Sequence, residues 1–390
     1  MEALRNRVVI AGIGESEIGR VASMTGLGLV AQASLRALDD AGMTLRDVDG
    51  LLTAYSVTEP YPMLGSVTAE YLGLEPSYCA SMVVGGATPA IMLRHAAQAI
   101  VSGACEVVLC CAGENRATGQ SRDSAVQAVA SMVGHPYFES IYGPTIPALY
   151  ALVAKRHMHE FGTTQEQLAA VAVQSREYAS KHPSAHMRKP ITVEEVLSSK
   201  FIADPLHLLD CCLISDAAGA FVVTSVGRAK DLPRRAVHLL GIGEHHTHEH
   251  ITSAPSLTHF GSLESGRRAF EMAGLKPDDI DFAELYDCFT IVPIIELEDL
   301  GFVKAGEGGP FFLAGEAGPS GKLPINTHGG MHSYAHGGAV GGLFGFVEAV
   351  RQLRGTEGAR QLKRHQTALV HNEGGILSSH CTAILGADPA

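Results

Sequence analysis

Residues 7–15 read RVVIAGIGE, and residues 236–244 read AVHLLGIGE. Each is an aliphatic run that ends in the same Gly-Ile-Gly-Glu turn, so one strand pattern occurs twice in the chain. The repeat continues outward. A helical stretch follows each copy, and ALDDAGMTLRDVDGL (37–51) in the first half is then matched by AFEMAGLKPDDIDFAEL (269–285) in the second. Both are a helix stopped at an Ala-Gly pair, an Asp-rich turn and a new strand; Gly accepts the left-handed conformation that ends a helix. Further on, VGGATPAIMLRHAAQAIVSG (84–103) and HGGAVGGLFGFVEAVRQLRG (336–355) are each a glycine-rich turn opening an apolar helix. The strands EVVLCCAGE (106–114) and TALVHNEGG (367–375) follow them.

Strands alternating with helices predict an α/β protein with mostly parallel sheets and helices on their faces. The apolar helices at 87–101 and 339–352 are expected to be buried between layers. The repeat divides the chain into halves at 1–235 and 236–390. Residues 115–205 break the pattern, with the helical stretch TQEQLAAVAVQSREYASKHP (164–183) and the basic run KHPSAHMRKP (181–190) inside them. An insertion between the strands of one half is a natural cover for a substrate.

The 390 residues carry a net charge of −12, which argues against nucleic acid or an anionic membrane surface as partner. No signal-like leader and no long apolar span is evident, so a cytoplasmic enzyme is expected. The 8 cysteines form no CxxC pair, which suggests reduced, mostly buried thiols rather than disulfides or a zinc site. The cluster His245, His246, His248 and His250 reads as a polar loop, and no metal is expected there. GIGESEIG lacks the GxGxxG spacing of a dinucleotide site.

The duplication aligns Gly85-Gly86-Ala87 with Gly337-Gly338-Ala339, so Val84 is the counterpart of His336. Each stands before a helix N-terminus, where backbone N–H groups and the positive end of the dipole suit a thioester carbonyl or a developing oxyanion. Together with RHMHEFGTTQEQLAAVAV (156–173), DPLHLLDCCLISDAAGAFVV (204–223), AELYDCF (283–289), LPINTHGG (323–330), SYAHGGAVGG (333–342) and NEGGILSSH (372–380), these motifs span nearly the whole chain. By them the chain resembles the thiolase superfamily, specifically the sterol-carrier-protein-type thiolases and their lipid-transfer-protein relatives. The resemblance implies duplicated βαβαβ-type halves forming a five-layered αβαβα sandwich, a homodimer core, and carbon–carbon bond chemistry on an acyl-CoA. Coenzyme A is then a substrate or cosubstrate, and no permanently bound cofactor is expected.

The sequence departs from the family where the family's chemistry starts. The nucleophilic cysteine of the first buried helix is replaced by Val84, which cannot be acylated. Cys79, five residues upstream at a strand start, reads better as a structural thiol than as a substitute. The resemblance gives His336 the role of hydrogen-bond donor to the thioester oxygen. It makes Cys288, within Tyr286-Asp287-Cys288-Phe289, the acid/base at the α-carbon. Tyr286 replaces a family histidine and is an oxyanion donor or proton shuttle. His380 is a further acid/base candidate. Gly85, Gly86, Gly337, Gly374, Gly375 and Asn326 are expected to contact the thioester or CoA, and Arg188 and Lys189 the CoA phosphates. A kept acid/base without the nucleophile points to non-covalent retro-aldol or retro-Claisen cleavage of a 3-hydroxy- or 3-ketoacyl-CoA. Direct attack by CoA, a displaced cysteine, and a non-catalytic acyl-CoA-binding scaffold are the alternatives. Relatives of this type also work with a small zinc-ribbon/OB-fold subunit, so a partner of that kind is expected.

Overall fold

A computed structural model of the chain describes residues 4–121 and 134–389; part of the expected insertion, residues 122–133, lies outside them. Nine strands form one sheet in the order β3-β2-β4-β7-β1-β8-β11-β10-β9. They are β1 (Val8–Glu15), β2 (Gly50–Ala54), β3 (Tyr78–Met82), β4 (Val107–Asn115), β7 (Asp216–Ser225), β8 (Val237–His246), β9 (Phe282–Glu284), β10 (Thr367–Gly374) and β11 (Ser379–Gly386). A separate ribbon joins β5 (Phe201–Ala203) to β6 (Leu206–His207). The strands of the first half meet those of the second only at β1 and β8, through the pairs Val9–His238 and Ile10–Val237.

The layers follow from strand alternation. Along β4, Val108 and Cys110 enter a central cluster that includes Ile91, Leu93 and Ala97 of the helix Thr88–Ser102 and Leu343, Phe346 and Val350 of the helix Gly341–Arg354. Their neighbours Val107, Leu109 and Cys111 face outward, onto Leu29, Ala33 and Ala37 of the helix Gly26–Ala41. Along β10 the same division holds: Val370 points to the central helices and Leu369 to the cluster containing Ala269, Phe270 and Ala273 of the helix Ser262–Ala273. Outer helix, sheet, paired central helices, sheet and outer helix make the αβαβα sandwich.

The repeated Gly-Ile-Gly turn has a steric cause. A Cβ on Gly12 or Gly14 would lie 2.2 Å from the carbonyl oxygen of Ala37 or Ala33. On Gly241 or Gly243 it would lie 2.2 Å from Ala269 O or 2.1 Å from Ser265 O. Both copies therefore seat an outer helix directly on strand backbone.

The expectation of mostly parallel sheets is corrected. Parallel pairing is confined to β2–β3, β2–β4 and β9–β10; the other pairs are antiparallel. For β10 and β11 the reason is the short connection after NEGG. Residues 375–378 turn β10 straight back into β11, and a link that short permits only an antiparallel neighbour. The end of the NEGGILSSH motif opens this second strand.

Candidate active site

The two glycine-rich turns each meet the opposite half. The turn Val84–Gly86 lies against Gly374 and Gly375: a Cβ on Gly374 would be 2.1 Å from Val84 O, and one on Gly85 would be 2.8 Å from Gly375 N. The turn before the second central helix lies against the end of β4, with the Cβ position of Gly338 3.0 Å from a carboxylate oxygen of Glu114. Between the turns is a cavity of about 410 Å³. Its polar lining includes Glu114, Arg116, Tyr150, Tyr286, Cys288 and Glu373; His336, Cys212 and Tyr55 also reach it. Ile146, Pro147 and Ile202 from the 115–205 stretch close it with apolar surface, and Gly85, Gly86, Gly374 and Gly375 supply backbone wall.

Cys288 is one end of a buried hydrogen-bonded group. Its thiol lies 3.4 Å from Glu373 Oε1, which also accepts from the Tyr150 hydroxyl at 2.5 Å. Glu373 Oε2 accepts from the Leu377 amide at 3.2 Å. Burial raises the Glu373 carboxyl to about 7, against the lowering pull of Tyr150 and Cys288. Burial, with Glu373 beside it, pushes the Cys288 thiol well up. Cys288 is therefore a neutral thiol with a carboxyl next to it that titrates near neutrality, an arrangement suited to passing a proton rather than to nucleophilic attack.

Tyr286 stands over the glycine floor. A Cβ on Gly86 would fall 2.2 Å from both its Cζ and its hydroxyl oxygen, so Gly86 is required by the ring. Burial, then Cys288 and Glu373, drive the phenol well above its ordinary range, which keeps it protonated and a donor. Its hydroxyl makes no hydrogen bond among the described residues and borders the cavity.

His336 lies at the other side. Its Nδ1 is 3.2 Å from the carbonyl oxygen of Leu213 and 3.4 Å from Cys212 Sγ. A carbonyl only accepts, so the ring proton belongs on Nδ1 and Nε2 carries the lone pair. Burial, reinforced by the Arg116 charge, lowers the imidazole to about 3, which excludes a second proton near neutrality. The expected role of His336 as a donor is revised on this ground: the neutral ring offers the cavity an acceptor.

Glu114 ends β4 as Glu373 ends β10. Its Oε1 accepts from the Val57 amide at 2.6 Å, while Oε2 is buried without a hydrogen bond and lies 3.5 Å from Arg116 Nε. Burial raises this carboxyl to about 7 as well, although Arg116 opposes the rise.

Other expected residues lie elsewhere. His380 is fully buried in β11, accepting or donating between His371 Nε2 (3.1 Å) and Leu377 O (2.9 Å), and does not border the cavity. Asn326 is buried with φ +54° and accepts from the Leu285 amide at 2.7 Å, which makes it a structural clamp for the strand end. Gly337 packs on Ala217 O and Ser215 O beside the wall. Arg188 and Lys189 are exposed and away from the lining, with Arg188 held to Pro183 O at 3.1 Å. Cys79 sits within β3, exposed rather than buried, also off the cavity. Sequence reading missed Glu373, Glu114, Arg116, Tyr150, Tyr55 and Cys212. The signal for the first two was present: each is the acid at the end of one of the duplicated strands.

Comparison with known proteins gives the family. A family model for the thiolase N-terminal domain matches residues 8–227, and one for a thiolase C-terminal domain-like region matches residues 243–387. An acetyl-CoA acetyltransferase of Methanothermobacter thermautotrophicus is 33% identical, over 94% of this chain and 96% of its own. A steroid side-chain-cleaving aldolase of Thermomonospora curvata is 35% identical, over 91% and 92%. The solved Ltp2-ChsH2(DUF35) aldolase superposes with a TM-score of 0.86 at 34% identity, over 99% of each chain. The chain belongs to the thiolase superfamily, in the branch that includes sterol carrier protein 2.

Proposed function

We propose that this thiolase-superfamily enzyme cleaves the C2–C3 bond of a 3-hydroxyacyl-CoA by a retro-aldol reaction without a covalent intermediate. One observation carries the reading. The cavity holds a neutral donor phenol, Tyr286, and a proton-passing pair, Cys288–Glu373, at the glycine floor, while Val84 stands in place of a nucleophile. In the reaction the 3-hydroxyl loses its proton, C3 becomes a carbonyl, and the C2–C3 electrons move into the thioester as an enolate. The Tyr286 hydroxyl and the glycine amides are positioned to hold the enolate oxygen. The Cys288 thiol then protonates C2, and Glu373 restores the thiol proton. His336 Nε2 offers an acceptor at the cavity wall that helps to orient the bound substrate.

The raised thiols speak against the displaced-cysteine alternative. Cys212 beside His336 is pushed up to about 12, chiefly by burial, and the imidazole has too little proton affinity to ionise it. The test is to mix the protein with matched 3-hydroxyacyl- and 3-ketoacyl-CoAs, follow CoA products by mass spectrometry, and record intact-protein mass. A shortened acyl-CoA plus a carbonyl product, with no adduct, is the expected result. An acyl adduct on any cysteine overturns it. His336→Ala separates enzyme from scaffold: lost turnover with retained CoA-ester binding fits catalysis, whereas weakened binding alone fits a binding subunit.

The working unit is proposed to be a homodimer core joined by a small zinc-ribbon/OB-fold subunit. Support comes from the solved Ltp2-ChsH2(DUF35) aldolase, in which the similar chain is named together with a second component. It comes also from Tyr137, Phe138, Ile141 and Tyr142, which are 65–81% exposed just before the cavity-lining segment Thr145–Tyr150. An apolar run of this kind next to a substrate wall suits a covering protein. Full turnover and CoA affinity in the isolated chain would remove the need for that subunit.

A further inference from the structure

We infer that Glu114 is the base that removes the 3-hydroxyl proton, with Arg116 holding the oxygen from which it departs. The inference rests on the retro-aldol reading and adds the group that begins it.

Two carboxyls and an imidazole in the cavity lining could take a proton from the substrate, and geometry separates them. Glu373 is committed: Tyr150, Cys288 and the Leu377 amide occupy its oxygens. His336 presents only Nε2, and the burial and nearby cation that keep its ring neutral also deny it a proton. Glu114 has one oxygen fixed by the Val57 amide and the other buried beside the cavity without a hydrogen bond among the described residues, ion-paired with Arg116 at 3.5 Å. A buried carboxylate oxygen that accepts no hydrogen bond is costly even beside a cation, and a substrate hydroxyl would satisfy it.

Arg116 is placed to share that hydroxyl. Its side chain is only 11% exposed, its Nε is also without a hydrogen bond, and it stands 3.5 Å from the free Glu114 oxygen. At that separation the two groups are ion-paired but make no hydrogen bond, and both can reach one guest oxygen. Arg116 donates to it while Glu114 takes its proton. Arg116 and Tyr55 are the titratable groups that face Glu114; Val57 and Ser56 supply the remaining lowering hydrogen bonds. The resulting value near 7 is matched to proton removal at neutral pH. The proton passes to Glu114, the C2–C3 pair passes to the thioester, and the negative charge moves from the Glu114 carboxylate to the enolate oxygen under Tyr286. Nothing is oxidised or reduced.

Two half-reactions distinguish this inference from the reading beneath it. Exchange of the C2 hydrogens of the shortened acyl-CoA product in D₂O needs the enolate machinery but no 3-hydroxyl. Cleavage needs both. In Glu114→Gln, kcat for cleavage should fall about 100-fold or more, with KM changed little and C2 exchange within about threefold of wild type. The wild-type acidic limb of kcat/KM, expected near pH 7, should vanish. In Arg116→Met that limb should move to higher pH, because removing the cation makes the carboxylate harder to form; a packing role alone would not move it. Cleavage by Glu114→Gln within threefold of wild type overturns the inference. So does parallel loss of exchange and cleavage in a folded variant, and so does an unmoved limb in Arg116→Met. Absence of exchange in the wild-type protein would instead overturn the enolate reading itself.

Discussion

Glu373→Gln separates proton transfer from architecture. The Tyr150 hydroxyl has one proton and two acceptors in reach, Glu373 Oε1 at 2.5 Å and Gly375 O at 3.0 Å. A protonated Glu373 resolves the conflict: it donates to the tyrosine oxygen, and the tyrosine donates to Gly375. Glutamine reproduces this arrangement. Its N–H donates to Tyr150, and its oxygen accepts from the Leu377 amide as Oε2 does now. It cannot hand a proton to Cys288. Cleavage is therefore expected to fall about 100-fold while the fold is kept. Stability should change in a definite direction. The carboxyl is raised from 4.5 to about 7 in the folded chain, so the native state binds this proton more tightly than the unfolded state. Stability is then lost as pH climbs from 4.5 through about 7 and stays lost above. At about 1.4 kcal/mol per unit the cost is about 3 kcal/mol. Glutamine removes that cost, so thermal melts should show the variant more stable than wild type at pH 8 and nearly equal at pH 4.5. Wild-type cleavage rates, or a melting difference that does not depend on pH, would refute the reasoning.

Tyr286→Phe removes a donor that has no hydrogen-bond partner among the described residues, so cleavage and C2 exchange should both drop about 100-fold with no loss of melting temperature; an unchanged exchange rate would take Tyr286 out of the enolate site. Gly86→Ala places a methyl 2.2 Å from the Tyr286 ring and should abolish cleavage by displacing it, read out in the same exchange assay. Gly243→Ala puts a Cβ 2.1 Å from Ser265 O, backbone that cannot yield cheaply, and should cost at least about 3 kcal/mol in denaturant unfolding or prevent soluble expression.

The duplicated halves were legible because they rest on local chemistry that spacing reveals. Gly12–Gly14 and Gly241–Gly243 are required by helix carbonyls, and Gly42 and Gly274 take φ +68° at the ends of their helices. Strand direction was not legible, since it depends on where residues 375–378 send the chain. Within the site, the motifs gave Tyr286, Cys288, His336 and the four wall glycines. They could not give Tyr150, which arrives from a helix far away in sequence to hold Glu373. The tautomer of His336 was equally hidden, because it is set by a single carbonyl, Leu213 O. His380 was misleading for the opposite reason: its position next to the NEGG turn suggested proximity, but strand alternation sends its side chain away from the cavity.

The two titrating carboxyls explain how a thiolase fold can operate without its nucleophile. A covalent mechanism stores the acyl group on the protein between two steps and needs a thiolate at the first helix N-terminus. With Val84 there, cleavage must proceed in one passage, in which one proton leaves the substrate and another reaches C2. Duplication supplies a site for each. The ends of β4 and β10 bring Glu114 and Glu373 to the same cavity from opposite halves, and burial raises both to about 7. Their neighbours then divide the work. Arg116 puts a full positive charge beside Glu114 and suits a base, whereas Glu373 has a thiol and a phenol beside it, and the thiol gives its proton a path to C2. Exchanging those neighbours should exchange the roles. An Arg116→Met variant leaves Glu114 closer in character to Glu373, and the acidic limb of cleavage should move up in pH while C2 exchange, which depends on Glu373, stays in place.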